Sequence, residues 1–290
     1  MKITAIESNR QWLDGGSMFG NAPRAVWERW SDVDNQGRIP LACRCLLVDD
    51  GKNKVLFETG IGSFFEPKMA ERFGVQDVGT HKLRDNLKSL GVDPNEINFV
   101  VLSHLHFDHA GGLLPTFAEM EQGEDQLLFP NAKYVVGKEA WQRALHPHFR
   151  DRASFVPLLN KKLEESGRLH ILNNLERDPE LPPWLSFYSS SGHTPGQIHA
   201  IIKGDKISVV FAGDLVPGVP WVHLPITMGY DRFPEKLIEE KQALYEKMSG
   251  TNWQIFFTHD PKIAMATLEK DEKGKFHTRQ ELLEVTGLEI

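Results

Sequence analysis

The sequence predicts an α+β fold in which two β-sheets are covered by helices. Short apolar, β-branched runs bounded by Gly, Asp, Asn or Pro recur along the 290 residues and are typical of strands. Between these runs, apolar residues repeat at helical spacing. Hairpin-like strands come first, then strands alternate with helices, and more strands and terminal helices follow. This mixed order favours two sheets over a single doubly wound sheet.

The predicted elements follow from these two patterns. Strands are predicted at residues 3–8, 43–48, 54–58, 99–103, 133–136, 185–190, 198–203, 207–212 and 254–258. Helices are predicted at residues 64–73, 82–90, 139–145, 155–166, 234–248 and 263–268. Pro234 suits the first turn of its helix, and Pro261 suits the first turn of the next.

Residues 11–40 fit neither pattern. This segment is rich in Gly, Asn and Arg, with large aromatic side chains at Trp12, Phe19, Trp27 and Trp30. A long irregular stretch inside a domain is often a functional loop, although such aromatics also serve to pin a loop to the core. We expect one domain over residues 1–290, with 11–40 as a substrate-cleft loop or extension within it.

Composition narrows the class of protein. The net charge of -7 and the absence of a long Lys/Arg cluster argue against a nucleic-acid-binding surface. The N-terminus lacks the apolar region of a secretory signal, and no apolar run approaches the ~20 residues of a membrane helix. Cys43 and Cys45 lie two apart in a predicted strand and should share a face without forming a disulfide. We therefore expect a reduced, cytoplasmic protein.

The run from Ser103 to Gly112 carries the strongest chemical signal. It places His104, His106, Asp108 and His109 within six positions, directly after an apolar predicted strand. Buried imidazoles and carboxylates are costly unless something satisfies them, and divalent cations would satisfy all four. The carboxyl end of a strand is also where α/β folds commonly bind ligands.

Zinc needs at least four ligands, so more must come from elsewhere in the chain. His193, Asp214 and His259 each follow a predicted apolar strand closely. Like the first cluster, each of the three comes just after the carboxyl end of an apolar strand. Together with that cluster they predict a metal site.

In this order, the runs His-Leu-His-Phe-Asp-His, Gly-His-Thr-Pro-Gly, Ala-Gly-Asp and Thr-His-Asp resemble the metallo-β-lactamase superfamily, over roughly residues 42–266. Glu58-Thr59-Gly60 is similar to the early Asp-Thr-Gly element of that family, with Glu in place of Asp. The resemblance implies an αββα sandwich, the metallo-β-lactamase fold, in which two mixed sheets are flanked by helices. It also implies metals at one edge of the sandwich.

The resemblance further implies a dinuclear site. The implied ligands are His104, His106 and His193 for one ion, Asp108, His109 and His259 for the second, and Asp214 as the bridge between them. Two zinc ions suit this His-rich set, with manganese or iron as open alternatives. The implied reaction is attack on an ester or lactone carbonyl by a hydroxide that bridges the two metals. Asp108 would carry a proton to the leaving group.

Within the superfamily, the sequence looks most like the branch of lactonases and organophosphate hydrolases. Lactonases of this type have a tyrosine near the bridging aspartate, and position 217 is Pro here. Tyr230 is our candidate for a catalytic contact with the substrate, and His223 is a second residue that could line the pocket.

We expect a small-molecule substrate and neither a nucleic acid nor a membrane as partner; a homodimer is an open alternative. The alternatives to ester or lactone hydrolysis are cleavage of phosphotriesters or phosphodiesters at the same site. A non-catalytic metal-binding module is a further alternative.

Overall fold

The computed structural model describes residues 1–290 and confirms a sandwich of two mixed sheets flanked by helices. The strands are β1 Lys2–Glu7, β2 Gln11–Asp14, β3 Arg38–Leu41, β4 Arg44–Asp49, β5 Lys54–Phe57, β6 Phe99–Leu102, β7 Lys133–Gly137, β8 Leu169–Leu172, β9 Leu185–Ser190, β10 Gln197–Lys203, β11 Ser208–Phe211, β12 Trp253–Phe256, β13 Met265–Lys270, β14 Phe276–Leu282 and β15 Leu288–Glu289. The helices are α1 Gly15–Phe19, α2 Arg24–Trp27, α3 Pro67–Arg72, α4 Lys82–Ser89, α5 Phe107–Ala110, α6 Phe117–Glu121, α7 Lys138–Leu145, α8 Pro157–Glu165 and α9 Pro234–Met248.

Each sheet combines antiparallel and parallel pairs. The first sheet has seven strands in the order β15-β1-β4-β5-β6-β7-β8, and β5 to β8 run parallel to one another. The second sheet has six strands in the order β14-β13-β12-β11-β10-β9, and only β11 and β12 are parallel neighbours. β2 and β3 form a separate two-stranded ribbon.

Strand β4 shows how the layers pack. Leu46 and Val48 face the apolar layer between the two sheets, whereas Cys45 and Leu47 face the helices that cover the outer side. This alternation follows from the two-residue repeat of a strand. Cys43 joins Cys45 in the outer layer, and both thiols are free, as the sequence predicted. On the second sheet, α9 supplies the outer cover.

Most of the predicted helices are confirmed, but the one at residues 263–268 is wrong. That segment is strand β13, which pairs with both β12 and β14. Pairing on both sides outweighs the helical preference of its Ala and Met residues. Pro261 therefore begins no helix; it lies in a turn in which the Asp260 carboxylate accepts hydrogen bonds from the backbone N–H groups of Lys262 and Ile263.

We expected residues 11–40 to be irregular, but this segment contains β2, α1, α2 and most of β3. Each of these elements has only four or five residues, which is too short to show a helical or strand periodicity in the sequence. The Phe19 ring stacks on Trp221 at 4.7 Å and on Trp27 at 5.5 Å between centroids. These aromatics anchor the segment to the body of the protein. None of the helices combines the length and the apolar character that crossing a bilayer requires.

Candidate metal centre

The carboxyl ends of four strands meet at one edge of the sandwich. β9, β11 and β12 run in the same direction within the second sheet, and His193, Asp214 and His259 follow them respectively. β6 of the first sheet ends at the same edge. Ser103 directly follows β6, and its carbonyl accepts a 2.9 Å hydrogen bond from the amide of Ile198, which lies at the start of β10 beside the carboxyl ends of β9 and β11. The loop after β6 and helix α5 therefore bring the first His/Asp cluster to the same edge.

Asp214 lies at the centre of this cluster. Its Oδ2 is 3.2 Å from His193 Nε2 and 3.3 Å from His109 Nε2, while its Oδ1 is 3.2 Å from His259 Nε2. Asp108 completes the second group, with its Oδ2 3.6 Å from His259 Nε2 and its Oδ1 3.7 Å from His109 Nε2. One carboxylate thus contacts imidazoles from both of the ligand sets that the sequence implied.

The structure brings all seven implied ligands together in two groups. Within each group, the potential ligand atoms lie within 4.8 Å of one another. The groups are His104, His106, His193 and Asp214, and then Asp108, His109 and His259. Asp214 adjoins the second group as well, which is the position a bridging ligand would need.

Glu58 orients the imidazole of His109 directly and that of His104 through Ser103. It directly follows β5, has a φ of 61° and is completely buried. Its Oε2 accepts a 2.7 Å hydrogen bond from His109 Nδ1, and its Oε1 accepts one from the Ser103 hydroxyl. Ser103 Oγ is in turn 2.9 Å from His104 Nδ1. Because the Nδ1 atoms are engaged in this way, the Nε2 atoms of both rings are left to face the cluster.

His193 and His259 are oriented by partners that the sequence did not reveal. His193 Nδ1 is 2.8 Å from Asp231 Oδ1, and the other oxygen of Asp231 accepts a 2.6 Å bond from the Met228 amide. His259 Nδ1 donates a 2.6 Å bond to the Ala42 carbonyl. No motif in the sequence distinguishes Asp231 from other acidic residues, so only the folded chain reveals its role.

Burial and charge shift the proton affinities of the cluster in opposite directions. Burial lowers the pKa of His104 and His106 well below the ordinary histidine value, which keeps both rings neutral. Burial also opposes protonation of His109, but the carboxylates of Glu58, Asp214 and Asp108 outweigh it and raise its pKa. Burial would raise the pKa of Asp214, but the surrounding imidazoles hold it well below its usual range.

These residues fit a pair of divalent cations. The Nε2 atoms of His104 and His106 are buried and have no hydrogen-bond partner in the protein. His109 Nε2 and His259 Nε2 face each other at 3.2 Å. Imidazole nitrogens and carboxylate oxygens together are a donor set that suits zinc and its neighbours in the first transition series. Cations would satisfy both the orphaned nitrogens and the facing pair.

A cleft of about 400 Å³ opens onto this cluster and contains His106, Asp108, His193, Asp214 and His259. Its apolar walls are formed mainly by Trp12, Leu13, Met18, Phe73, Phe107 and Met228. Four larger cavities, of about 720, 690, 480 and 470 Å³, contain none of the seven implied ligands. We regard the smaller cleft as the substrate site because the ligands line it.

The two residues whose position the sequence left open lie in different places. Tyr230 lines the cleft together with the ligands, and burial raises its pKa. His223 lines the 690 Å³ groove instead, which lies between the β2–β3 region and β14. The carbonyl of Pro217 accepts a 2.9 Å hydrogen bond from the His259 amide.

Fold and site together define a metal-dependent hydrolase. Residues 38–116 match the family model of the metallo-β-lactamase superfamily. It is 25% identical over 240 residues to an N-acyl homoserine lactonase from Bacillus thuringiensis, an alignment that covers 74% of this chain and 80% of the lactonase.

Solved structures show the same fold. A probable metal-dependent hydrolase from Staphylococcus aureus superposes with a TM-score of 0.83 at 23% identity and covers 97% of both chains. The dizinc quorum-quenching lactonase AidC, solved with the product N-hexanoyl-L-homoserine, superposes with a TM-score of 0.74 at 19% identity. That alignment covers 97% of this chain and 94% of AidC.

Proposed function

We propose that this protein hydrolyses an ester or lactone of a small molecule with the help of two divalent metal ions, most simply zinc. The observation that carries the proposal is the position of Asp214, whose two oxygens face imidazoles of both ligand groups at 3.2–3.3 Å. The similarity to lactonases of known activity supports the acyl substrate. The reaction adds water across an acyl C–O bond and yields a carboxylate and an alcohol.

Seven residues would hold the two ions. These are His104, His106 and His193 for one, Asp108, His109 and His259 for the other, and Asp214 between them. When bound, the two ions would supply a hydroxide at neutral pH and would polarise the carbonyl that is attacked. The partners of the ligand imidazoles, above all Glu58 and Asp231, hold the rings in place before substrate arrives.

Asp108 and Tyr230 are the proposed catalytic residues beyond metal binding. Asp108 lines the cleft, and its carboxylate can take up the proton that the hydroxide releases after it adds to the carbonyl and pass this proton to the departing alkoxide as the acyl C–O bond breaks. The hydroxyl of Tyr230, which lines the same cleft, can donate a hydrogen bond to a substrate oxygen. We further propose that residues 11–40 act as an extension of the single domain, because Trp12, Leu13 and Met18 from this segment form part of the cleft wall.

A substrate panel tests the reaction class. Protein loaded with zinc, and separately with manganese, would be assayed against lactones, aryl esters, phosphotriesters and phosphodiesters. We expect hydrolysis of lactones or esters, its loss after chelation and its return when metal is restored. Turnover of phosphodiesters alone would show that the acyl-hydrolase proposal is wrong.

A metal count and two variants test the dinuclear site. We expect close to two ions per chain in wild-type protein and at least a hundredfold loss of kcat in Asp108→Ala. Asp125→Ala, which removes an exposed aspartate outside the cleft, is the matched control and should retain full activity. Full activity with one ion per chain would contradict the dinuclear mechanism.

A further inference from the structure

Outside the metal ligands, the residues that line the cleft have a net positive charge, whereas the whole chain has a net negative charge. The protein carries a net charge of -7, yet outside the metal ligands the cleft contains the three guanidinium groups of Arg38, Arg72 and Arg150 and one carboxylate, Asp14. A concave, partly apolar site focuses the field of such charges and attracts ligands of opposite sign. The excess of positive charge is therefore concentrated where the substrate must enter.

Two of these arginines have no carboxylate partner. Arg38 is paired with Asp34, with 2.7 Å between Nε and Oδ2. Arg150 forms no ion pair; one of its terminal nitrogens donates a 2.8 Å bond to the Gly229 carbonyl. Arg72 forms no ion pair either, and its guanidinium lies 5.9 Å from the centroid of the Phe73 ring. Neither unpaired arginine belongs to residues 11–40. Arg72 lies at the end of α3, and Arg150 lies in the loop after α7.

Asp14, the single opposing carboxylate, is already engaged. Its Oδ1 accepts a 2.7 Å hydrogen bond from the Ser17 amide and so caps the N-terminus of α1. Asp14 forms no ion pair with any of the three guanidinium groups of the cleft, and the one ion pair among them joins Arg38 to Asp34. Guanidinium groups bind carboxylates, like phosphates, through two parallel hydrogen bonds.

We infer that the natural substrate is an ester or lactone that carries a second, anionic group, a carboxylate, which Arg72 and Arg150 bind while the acyl group lies at the metal centre. This inference rests on the proposed hydrolytic function and adds the substrate class. The apolar wall formed by residues such as Trp12 and Phe73 accommodates the carbon chain between the two ends. Neutral acyl lactones lack the group that these arginines recognise.

The kinetic test uses two matched substrates, an aryl hexanoate and the aryl half-ester of adipic acid, which differ mainly in a terminal carboxylate. We expect kcat/KM of zinc-loaded protein to be about tenfold higher for the anionic ester, as for one charge-assisted hydrogen-bonded contact. The ratio of the two kcat/KM values should fall in Arg72→Gln and in Arg150→Gln, and fall in wild-type protein as salt concentration rises. Arg177→Gln removes an exposed arginine outside the cleft and should leave the ratio unchanged.

A binding test separates this inference from the proposed reaction. Calorimetry would compare dicarboxylates of four to eight carbons with monocarboxylates of the same length on zinc-loaded protein. We expect at least one dicarboxylate to bind about tenfold more tightly than its monocarboxylate partner, and both arginine variants to abolish that difference. If this difference is found but no ester is cleaved, the charge recognition stands and the hydrolytic proposal fails. If esters are cleaved without any preference in rate or in binding, the inference is wrong and the proposed function remains.

Discussion

Gln11 Nε2 donates a 2.7 Å hydrogen bond to Asp108 Oδ2 across 97 residues of sequence. Gln11 lies on β2 and is completely buried, and its own Oε1 has no partner in the protein. The bond connects the N-terminal ribbon to the carboxylate that we propose as both a metal ligand and a proton carrier. The ribbon thus reaches the reaction centre and does more than form a wall of the cleft.

Replacement of Gln11 by Leu should lower kcat more than it changes KM. The variant keeps a similar side-chain volume but leaves one oxygen of Asp108 without its donor. A hydrogen bond to a charged group contributes about 1.5–3 kcal/mol, which corresponds to roughly a tenfold to hundredfold loss of rate if it is expressed in the transition state.

Steady-state kinetics and metal analysis on the same preparation would check this effect. The control is Gln242→Leu, on the exposed side of α9, which should retain wild-type kinetics. A Gln11→Leu variant with wild-type kcat and full metal content would show that the bond to Asp108 has no role in the reaction.

Removal of the Glu58 charge should weaken metal binding. In Glu58→Gln the side chain keeps its shape but loses the carboxylate that accepts hydrogen bonds from His109 and Ser103. Partners of metal ligands typically contribute tenfold to hundredfold in affinity, so we expect a loss in that range for zinc. Competition with a chromophoric chelator measures it, and Glu66→Gln, at an exposed position, serves as the control. Unchanged zinc affinity would mean that Glu58 supports the fold only.

Gly112 should not tolerate a side chain. A Cβ at this position would lie 2.1 Å from the Thr59 carbonyl oxygen, which is backbone and cannot move aside easily. We expect Gly112→Ala to lower the free energy of unfolding by about 1–3 kcal/mol or more, as overpacking usually does. Denaturant unfolding of the apo-protein isolates this effect from metal binding. Wild-type stability in the variant would contradict the close approach of the two backbones.

Lys241 should make stability depend on pH above neutrality. It is completely buried on α9, and its ammonium donates to the carbonyls of His223, Leu224 and Ile226. Burial lowers its pKa from 10.5 to about 7, and the nearby charge of Asp231 opposes that shift. Between these two values the unfolded chain binds more protons than the folded chain, so this lysine makes stability rise with pH.

The measurement compares wild-type protein with Lys241→Met at pH 7.5 and at pH 9.5. We expect the wild type to gain up to about 1.4 kcal/mol per pH unit relative to the variant, because one pKa unit corresponds to that energy. Parallel pH profiles of the two proteins would show that the ammonium stays protonated over its three carbonyl acceptors throughout this range.

The sequence was informative where a pattern is local. The run from Ser103 to Gly112 predicted four potential ligands directly after a strand, although not the short helix α5 that carries Asp108 and His109. The long α9 was predicted with its observed bounds. The C-terminal strands were missed, since β14 is polar and lies at the edge of its sheet, where alternation with an apolar face is weak.

The sequence by itself predicted the seven candidate ligands, the strands that they follow and therefore the class of chemistry. Only the tertiary structure decided what surrounds them: Gln11 against Asp108, Asp231 behind His193, and the arginines at the cleft. Contacts of this kind join residues tens of positions apart, and a single polar residue carries no local signal of its partner. They arise because the ends of several strands and the N-terminal ribbon converge at one edge of the sandwich, and that convergence exists only in the folded chain.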